Sequence, residues 1–456
     1  KIENEKNIKW KTSSDTEVLL EAISLWGFNK YLLNKLNGMF ALAIWDIKTK
    51  KLYLARDHLG EKPLYYGWQN GSFLFASDLN ALAPHPSWQP ELCQNALGLY
   101  TRFGYVPTPW TIWKNVFKLP PGSWLQYTLQ APVHEKPEPY FYWRTSSKWE
   151  PTPQSSLSDQ DAIEQVEKTL RTAINDQMHA DVPVGVFLSG GVDSSLITAL
   201  MQSLSGHQVN SFAIGFNESD FNEAPYAKAI ANHLGTAHTE YYLSSQETLD
   251  VIPSLANMYS EPFADSSQIP TYLVSAIAKR DVTVCLSGDA GDELFGGYNR
   301  YHWGPRVWRS SQTLPKLFRT SVGLAMQSLS PAILNNLTRF LPRQLAFPVM
   351  GDQLQKIAFI MNCVDLDKVY ETLVSIDSKS EQSVINCQPL PIWADTEYLH
   401  FAKLAQQTEP VHNMMFRDIV GYLCDDILTK VDRASMATSL ETRIPMLDHR
   451  VAKLAW

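Results

Sequence analysis

No apolar run in this chain approaches the ~20 residues of a membrane-spanning helix. No signal peptide is visible in it either. Lysine and arginine never gather into a basic block, and the net charge is −8. Nucleic acid and an anionic membrane are therefore poor candidates for the main partner. Cysteine is scarce. The five (Cys93, Cys285, Cys363, Cys387, Cys424) are odd in number, scattered and without CxxC spacing. That argues against a disulfide framework or a zinc site and fits a reduced, cytoplasmic protein. No internal repeat of the solenoid or propeller kind is present.

What remains is ordinary globular usage. The 456 residues, 45% hydrophobic and 19% charged, suffice for two or three domains with sizeable cores. The sequence opens at Lys1 in what reads as mid-domain and stops at Trp456 within an apolar helical pattern (Val451, Leu454, Ala455). A fragment open at both ends is the expectation.

The most informative stretch is Val184 to Met201, VGVFLSGGVDSSLITALM. Its apolar start has the pattern of a strand buried on both faces. Ser189-Gly190-Gly191 breaks the run, Val192-Asp193-Ser194-Ser195 follows, and Leu196, Ile197, Leu200 and Met201 take helical spacing. Strand, glycine turn and helix N-terminus in that order make an anion site, because the first helical turn leaves N–H groups unpaired and the macrodipole favours negative charge. No lysine stands where GxxxxGK[ST] would have one. Asp193, a carboxylate among phosphate donors, calls for a cation, and Mg²⁺ shared with phosphate oxygens is the usual one.

A second stretch, Val282 to Arg300, reads VTVCLSGDAGDELFGGYNR. Another apolar strand ends in Leu-Ser-Gly, and Asp289, Asp292 and Glu293 follow. Two strands ending alike suggest adjacent tips facing one crevice, where open α/β sheets bind ligands. A nucleotide–magnesium site explains the acids better than a solvated turn does.

These motifs resemble the synthetase domain of glutamine-dependent asparagine synthetases, members of the PP-loop ATP-pyrophosphatase group. SDTEVLL (14–20), LNGMFALAIWD (36–46), LYLARDHLGEKPLYY (52–66) and LETRIPMLD (440–448) extend the resemblance over nearly the whole chain. It implies a glutaminase (class II amidotransferase) domain over 1–150, part of an αββα N-terminal-nucleophile sandwich. It also implies an asparagine synthetase domain over 151–456, a doubly wound parallel sheet with a helical cover. The fold class expected is thus α/β plus α+β.

Local patterning fits that division. Phe40–Asp46 and Lys51–Ala55 read as paired strands about the turn 47–50, with Phe73–Ala76 a third. Thr16–Trp26 reads as a helix capped by Ser13, Ser14 or Asp15. The polar stretch 146–160, after a proline-rich segment, contains the expected domain boundary. Val209–Phe216 reads as a buried strand, and the helix Ala224–Leu234 stops at Gly235. Residues 301–410 read as amphipathic helical cover.

In the resembled family the glutaminase nucleophile is a cysteine at the mature N-terminus, and no such cysteine is on this chain. Cys93 reads instead as a small buried hydrophobe. Asp15 is implied as the glutamine-binding group, with helix capping as its competing role. Phe187 or Leu188, with Ile214, would contact adenine, and Ser287 and Gly288 would bind the adenosine. The loop Ser189, Gly190, Gly191, Val192, Asp193, Ser194 and Ser195 would hold the phosphates, with Asp193 and Asp292 as Mg²⁺ ligands. Asp289 is the candidate base or charge partner for ammonia. Tyr298, Asp432 and Arg433 are assigned to the acceptor pocket, while Asp425 and Asp426 read as a solvated face. Asp265, Ser266 and Ser267 read as a helix cap or as crevice lining. Two residues depart from the family pattern: Ala290 stands where glycine is usual, and His58 where arginine is usual. A positive φ at 290 would cost about 1 kcal/mol or more.

The function implied is ATP-dependent adenylation of the aspartate side chain, then amidation by glutamine-derived ammonia, releasing AMP and pyrophosphate. Glutamine, aspartate and ATP are the expected small-molecule partners, and a homodimer is compatible with the sequence. Two rivals share the architecture: amidation of another carboxylate, such as a sugar uronic acid in surface-polysaccharide assembly, and a β-lactam-forming synthetase. A degenerate nucleotide-binding regulator would have no need of Asp193, Asp289, Asp292 and Glu293 together.

Overall fold

The computed structural model describes residues 8–129, 136–147, 158–216, 222–329, 333, 350–376, 388–404 and 409–456. Most of the expected domain boundary (148–157) lies outside these residues.

Before that gap the chain forms two antiparallel sheets. The first takes the order β1-β2-β6-β7 from β1 (Ala41–Asp46), β2 (Lys51–Arg56), β6 (Ser123–Thr128) and β7 (Tyr140–Phe141). The second takes the order β4-β3-β5 from β3 (Tyr65–Gln69), β4 (Ser72–Ala76) and β5 (Val116–Lys118). Both hairpins are written locally. Lys50, in the β1–β2 turn, has φ 54°, and Asn70-Gly71, at 43° and 78°, forms the two-residue β3–β4 turn that Asn-Gly favours. Alternation along the strands then brings Leu52, Leu54 and Leu125 of one sheet against Tyr66, Phe73 and Phe117 of the other. Helix α1 (Asp15–Trp26) leads to Phe28, which packs on Tyr53 and Trp124 at 4.9 and 5.7 Å, on the outer face of the first sheet. On the outer face of the second sheet, the 3₁₀ turn Leu79–Leu82 covers Tyr65, Leu74 and Val116. Helix α2 (Gln94–Phe103) follows, and half-buried Cys93 sits at its N-cap rather than inside it.

After the gap, helix α3 (Asp159–Met178) starts on a capping box between Ser158 and Asp161. It leads into a five-stranded parallel sheet in the order β10-β9-β8-β11-β12. Its strands are β8 (Val184–Phe187), β9 (Asn210–Phe216), β10 (Ala237–Leu243), β11 (Val284–Leu286) and β12 (Glu441–Arg443). Helices α4 (Val192–Leu204), α5 (Ala224–Leu234) and α6 (Gln268–Ala278) connect them. The chain runs outward from β8 through β9 to β10, then returns to pair β11 on the other side of β8. The order therefore reverses between β8 and β11, and the two Leu-Ser-Gly strands are neighbours at that switch point.

Short helix α7 (Gly291–Phe295) and helix α8 (Asn299–Gln312) follow β11, and further helices cover the sheet. The chain returns through a π-wound segment, Asp418–Ile427, continuous with helix α9 (Leu428–Met436). One core cluster takes residues from both parts: Leu33, Ala55, Leu59, Tyr142 and Trp143 pack with Leu170, Ile174, Val186, Ile419 and Leu423.

Candidate active site

A cleft of about 680 Å³ opens at the C-terminal tips of β8 and β11. One wall is the turn into α4. Gly190 has φ 87°, a conformation that a side chain would strain, and a Cβ there would stand 2.9 Å from the Ala227 nitrogen. The serines of this loop hold one another. The Ser189 and Ser194 hydroxyls lie 2.9 Å apart, Ser189 N–H donates to Ser194 Oγ at 3.2 Å, and Ser195 Oγ donates to the Gly191 carbonyl at 2.5 Å. The facing wall is the loop after β11, packed backbone against backbone. A Cβ on Gly288 would come within 2.7 Å of the Ser194 nitrogen, and one on Gly291 would overlap the Asp193 carboxylate. Glycine at 288 lets the two backbones close to this distance, and a side chain at 291 would displace the Asp193 carboxylate.

The electrostatics follow from that closeness. Burial, then the charges of Asp292 and Asp289, push the Asp193 carboxyl up to about 6. Burial and Asp289 also raise Asp292, with Arg300 pulling the other way. Among the described residues no lysine or arginine pairs with Asp193. The donors are all oxygens, and no described group of three His, Cys, Asp or Glu side chains could enclose a metal by itself. Two carboxylates completed by phosphate oxygens suit Mg²⁺, which is seldom held by protein alone. The site fits that ion.

Deeper in the cleft, Ser287 Oγ donates to the Asp289 carboxylate and fixes its orientation. Glu293 is fully buried, takes the Tyr298 hydroxyl at 2.7 Å and is pushed up to about 7, chiefly by burial. Tyr298 lines the cleft, as do Phe187, Ser189, Gly191, Val192, Asp193, Ser194, Ser287, Gly288, Asp289 and Asp292. Leu188, Gly190, Ser195 and Ile214 are outside that lining. Leu188 is buried on Ala213, Ala227 and Ala231, and Ile214 packs with Phe212 and Ile277, next to Phe187.

Other expected placements need correction. Asp432 and Arg433 are not in the cleft, because the helical turn of α9 carries them to its opposite side. Asp432 pairs with Lys62 at 2.7 Å. Arg433 pairs with Asp78 at 2.7 Å and donates to the Ser77 carbonyl at 2.8 Å. They bind the two parts of the chain together. The face of this segment that reaches the cleft carries Ile427, Lys430 and Val431. Spacing by three or four residues from Ile427 could have identified that face in the sequence. Asp425 and Asp426 are not a solvated face either, since both are buried. Asp425 accepts Thr108 N–H at 2.8 Å and Thr108 Oγ1 at 2.6 Å.

Asp265 accepts Ser267 N–H at 2.5 Å in the turn before α6, and its other oxygen lies 3.6 Å from Lys430 Nζ. In the antiparallel part, Ser14 caps α1 by accepting Thr16 N–H at 3.2 Å. That leaves Asp15 exposed at the junction of two cavities that Asn37 and Met39 also line. His58, the other departure from the family pattern, stacks on His449 with centroids 4.9 Å apart.

Two family models match the chain. One, described as asparagine synthase, covers residues 165–456, and the other, a glutamine amidotransferase domain, covers residues 1–141. A Methanocaldococcus jannaschii protein provisionally named glutamine-hydrolyzing asparagine synthetase 2 is 32% identical over 95% of this chain and 78% of its own length. Glutamine-hydrolyzing asparagine synthetase 1 of Bacillus subtilis is 32% identical over 99% of this chain and 66% of its own length. Asparagine synthetase B of Escherichia coli is 29% identical over 66% of this chain and 50% of its own length. The chain thus spans from half to about three quarters of the length of these relatives.

Proposed function

Since the chain belongs to the asparagine synthase family and its first 141 residues match a glutamine amidotransferase domain, we propose that it is a glutamine-hydrolysing ligase that makes asparagine from aspartate. The observation that carries this reading is the cleft itself, a serine–glycine turn opening α4 directly opposite three carboxylates. Relatives named for asparagine synthesis favour aspartate as the acceptor. The compartment proposed is the cytoplasm, in keeping with four described cysteines that are all free.

A carboxylate is a poor electrophile at neutral pH, so it must be activated first. ATP is a substrate in this scheme. An acceptor carboxylate oxygen bonds to the α-phosphorus, the bond from that phosphorus to the bridging oxygen breaks, and pyrophosphate leaves. The Ser189–Ser195 loop would take the phosphates, its hydroxyls exchanging mutual hydrogen bonds for phosphate oxygens at the α4 N-terminus. Asp193 and Asp292 would hold Mg²⁺, which offsets negative charge on the phosphates when bound.

Ammonia then bonds to the acyl carbon as AMP leaves with the bonding pair. Ammonium has no lone pair to attack with, so a base must hold or remove the proton. Asp289 would take that task, a reading supported by its orientation by Ser287 and its position in the cleft lining. Asp15 would hold the amino group of glutamine.

The test uses the full-length gene product with ATP, Mg²⁺ and ammonia, following pyrophosphate with aspartate as sole acceptor. Aspartate-dependent release with asparagine formed is expected. Silence with aspartate but turnover of a uronic acid or its nucleotide sugar would move the acceptor to that class.

A further inference from the structure

The cleft is strongly acidic. Asp193, Asp289, Asp292 and Glu293 line it, and Lys430 is the sole lysine or arginine among its described lining residues. An acceptor carboxylate entering such a site needs a positive partner. Lys430 is 8% exposed. Among the described residues its ammonium makes no hydrogen bond, and its ion-pair partner, Asp265, stands 3.6 Å away. A buried ammonium held this loosely retains donors for a ligand.

Behind it lies an unsatisfied acid. Asp426 precedes Lys430 by four residues and so shares its side of the winding segment. It is also 8% exposed, and its Oδ1 has no hydrogen-bond partner. A buried carboxylate oxygen without a donor is costly and therefore uncommon. Burial and then the charge of Asp265 push the Asp426 carboxyl up to about 8, against the pull of Lys430. Asp426 therefore keeps its proton at neutral pH, and the ammonium of Lys430 is matched by Asp265 alone. A ligand ammonium would displace that proton and leave both carboxylates paired.

Resting on the adenylating cleft proposed above, we propose that Lys430, Asp265 and Asp426 form the acceptor-recognition site and select an α-amino acid. Lys430 holds the carboxylate that does not react, and Asp265 with Asp426 receives the substrate ammonium. A uronic acid has a single carboxylate, the one that reacts, and no ammonium, so it engages neither Lys430 nor Asp426.

The experiment uses full-length protein with ATP, Mg²⁺, ammonia and aspartate, and succinate as an inhibitor lacking the amino group. Lys430→Met should raise the aspartate KM about 10- to 100-fold, the usual loss for a buried charge-assisted bond, while the ATP KM moves less than about twofold. Lys430→Arg, which keeps the charge, should recover most of that loss, and its activity reports an intact fold. Asp426→Asn should raise the aspartate KM about tenfold and leave succinate inhibition unchanged, whereas Lys430→Met should weaken it.

An unchanged aspartate KM in Lys430→Met would overturn the assignment, as would equal rises in the aspartate and ATP KM values. A rise in the succinate inhibition constant in Asp426→Asn as large as that in the aspartate KM would overturn the ammonium half. If the wild-type protein releases no pyrophosphate with aspartate, the functional reading fails and this assignment with it. Activity in the wild type with indifferent variants sinks the assignment alone.

Discussion

An acid held near 6 changes what the protein can bind across a physiological pH range, and Asp193 is such an acid. Its folded value lies above the ordinary 3.8. The stability it contributes is therefore complete below 3.8 and is lost as pH rises through about 6. The ionised form that remains above 6 is the form a divalent cation needs. Below that pH each bound cation must displace one proton. We expect Mg²⁺ with a non-hydrolysable ATP analogue to bind about tenfold more weakly at pH 5 than at pH 7. Titration calorimetry at the two pH values checks this, and equal affinities would mean that Asp193 is not a ligand.

The motif around Asp193 was legible because strand, glycine turn and helix start adjoin in sequence. The requirement for Gly291 was not, because the atom that excludes a side chain there belongs to Asp193, almost a hundred residues earlier. Ala290 shows a different limit. Its φ is 71°, the strained case expected at that position, yet its methyl is buried in the central core. Strain of about 1 kcal/mol and methyl burial of about 1 kcal/mol nearly offset each other, so alanine is tolerable where glycine is usual.

Elements that carry their own signals could be read in advance: α1, the β1–β2 hairpin, and α5 with its Gly235 stop. The β3–β4 hairpin escaped notice although Asn70-Gly71 marks its turn. Strand β12 has only three residues and exists because β11 offers it an edge, with Val284 opposite Glu441. The segment from Asp418 to Met436 misled for a similar reason. Its acids recur along a helix, and nothing local says whether such a row meets water or protein. The partners are distant: Arg300 donates to Asp418 at 2.7 and 2.9 Å, Thr108 to Asp425, and Lys62 to Asp432.

This element therefore carries buried charge on the side away from the cleft, and its position depends on those donors. Thr108→Val removes one of the two donors to Asp425 while nearly preserving volume. We expect a loss of about 1 to 3 kcal/mol, the cost of leaving a buried carboxylate oxygen short of a partner. Urea unfolding at constant m-value checks it, and a change below about 0.5 kcal/mol, the size of an ordinary surface substitution, would show that water replaces the hydroxyl.

At the scale of the molecule, the antiparallel and parallel parts meet through a shared apolar cluster and through charges with little or no access to water. Glu397 is completely buried, yet it belongs to the helical cover and pairs with Arg144 of the antiparallel part. Its second oxygen accepts Ser146 Oγ at 3.1 Å. Lys118 on β5 pairs with Glu261 at 2.8 Å, both under a tenth exposed, and its ammonium also donates to the Val106 carbonyl. Ala55 and Trp143 share a core with Ile174 and Leu423.

Chains with two sheets of different type often unfold in two steps, since each sheet can keep its own core. Separation here would expose the common cluster and strand half of each buried pair, and breaking one such pair by removing a partner costs about 3 to 5 kcal/mol. Neither part can keep its stability after losing the other. A single calorimetric transition, with calorimetric and van't Hoff enthalpies equal within error, is therefore expected. Two resolved transitions would mean that water can solvate Glu397 and Lys118 at little cost, and the cleft would then be anchored to the parallel sheet alone.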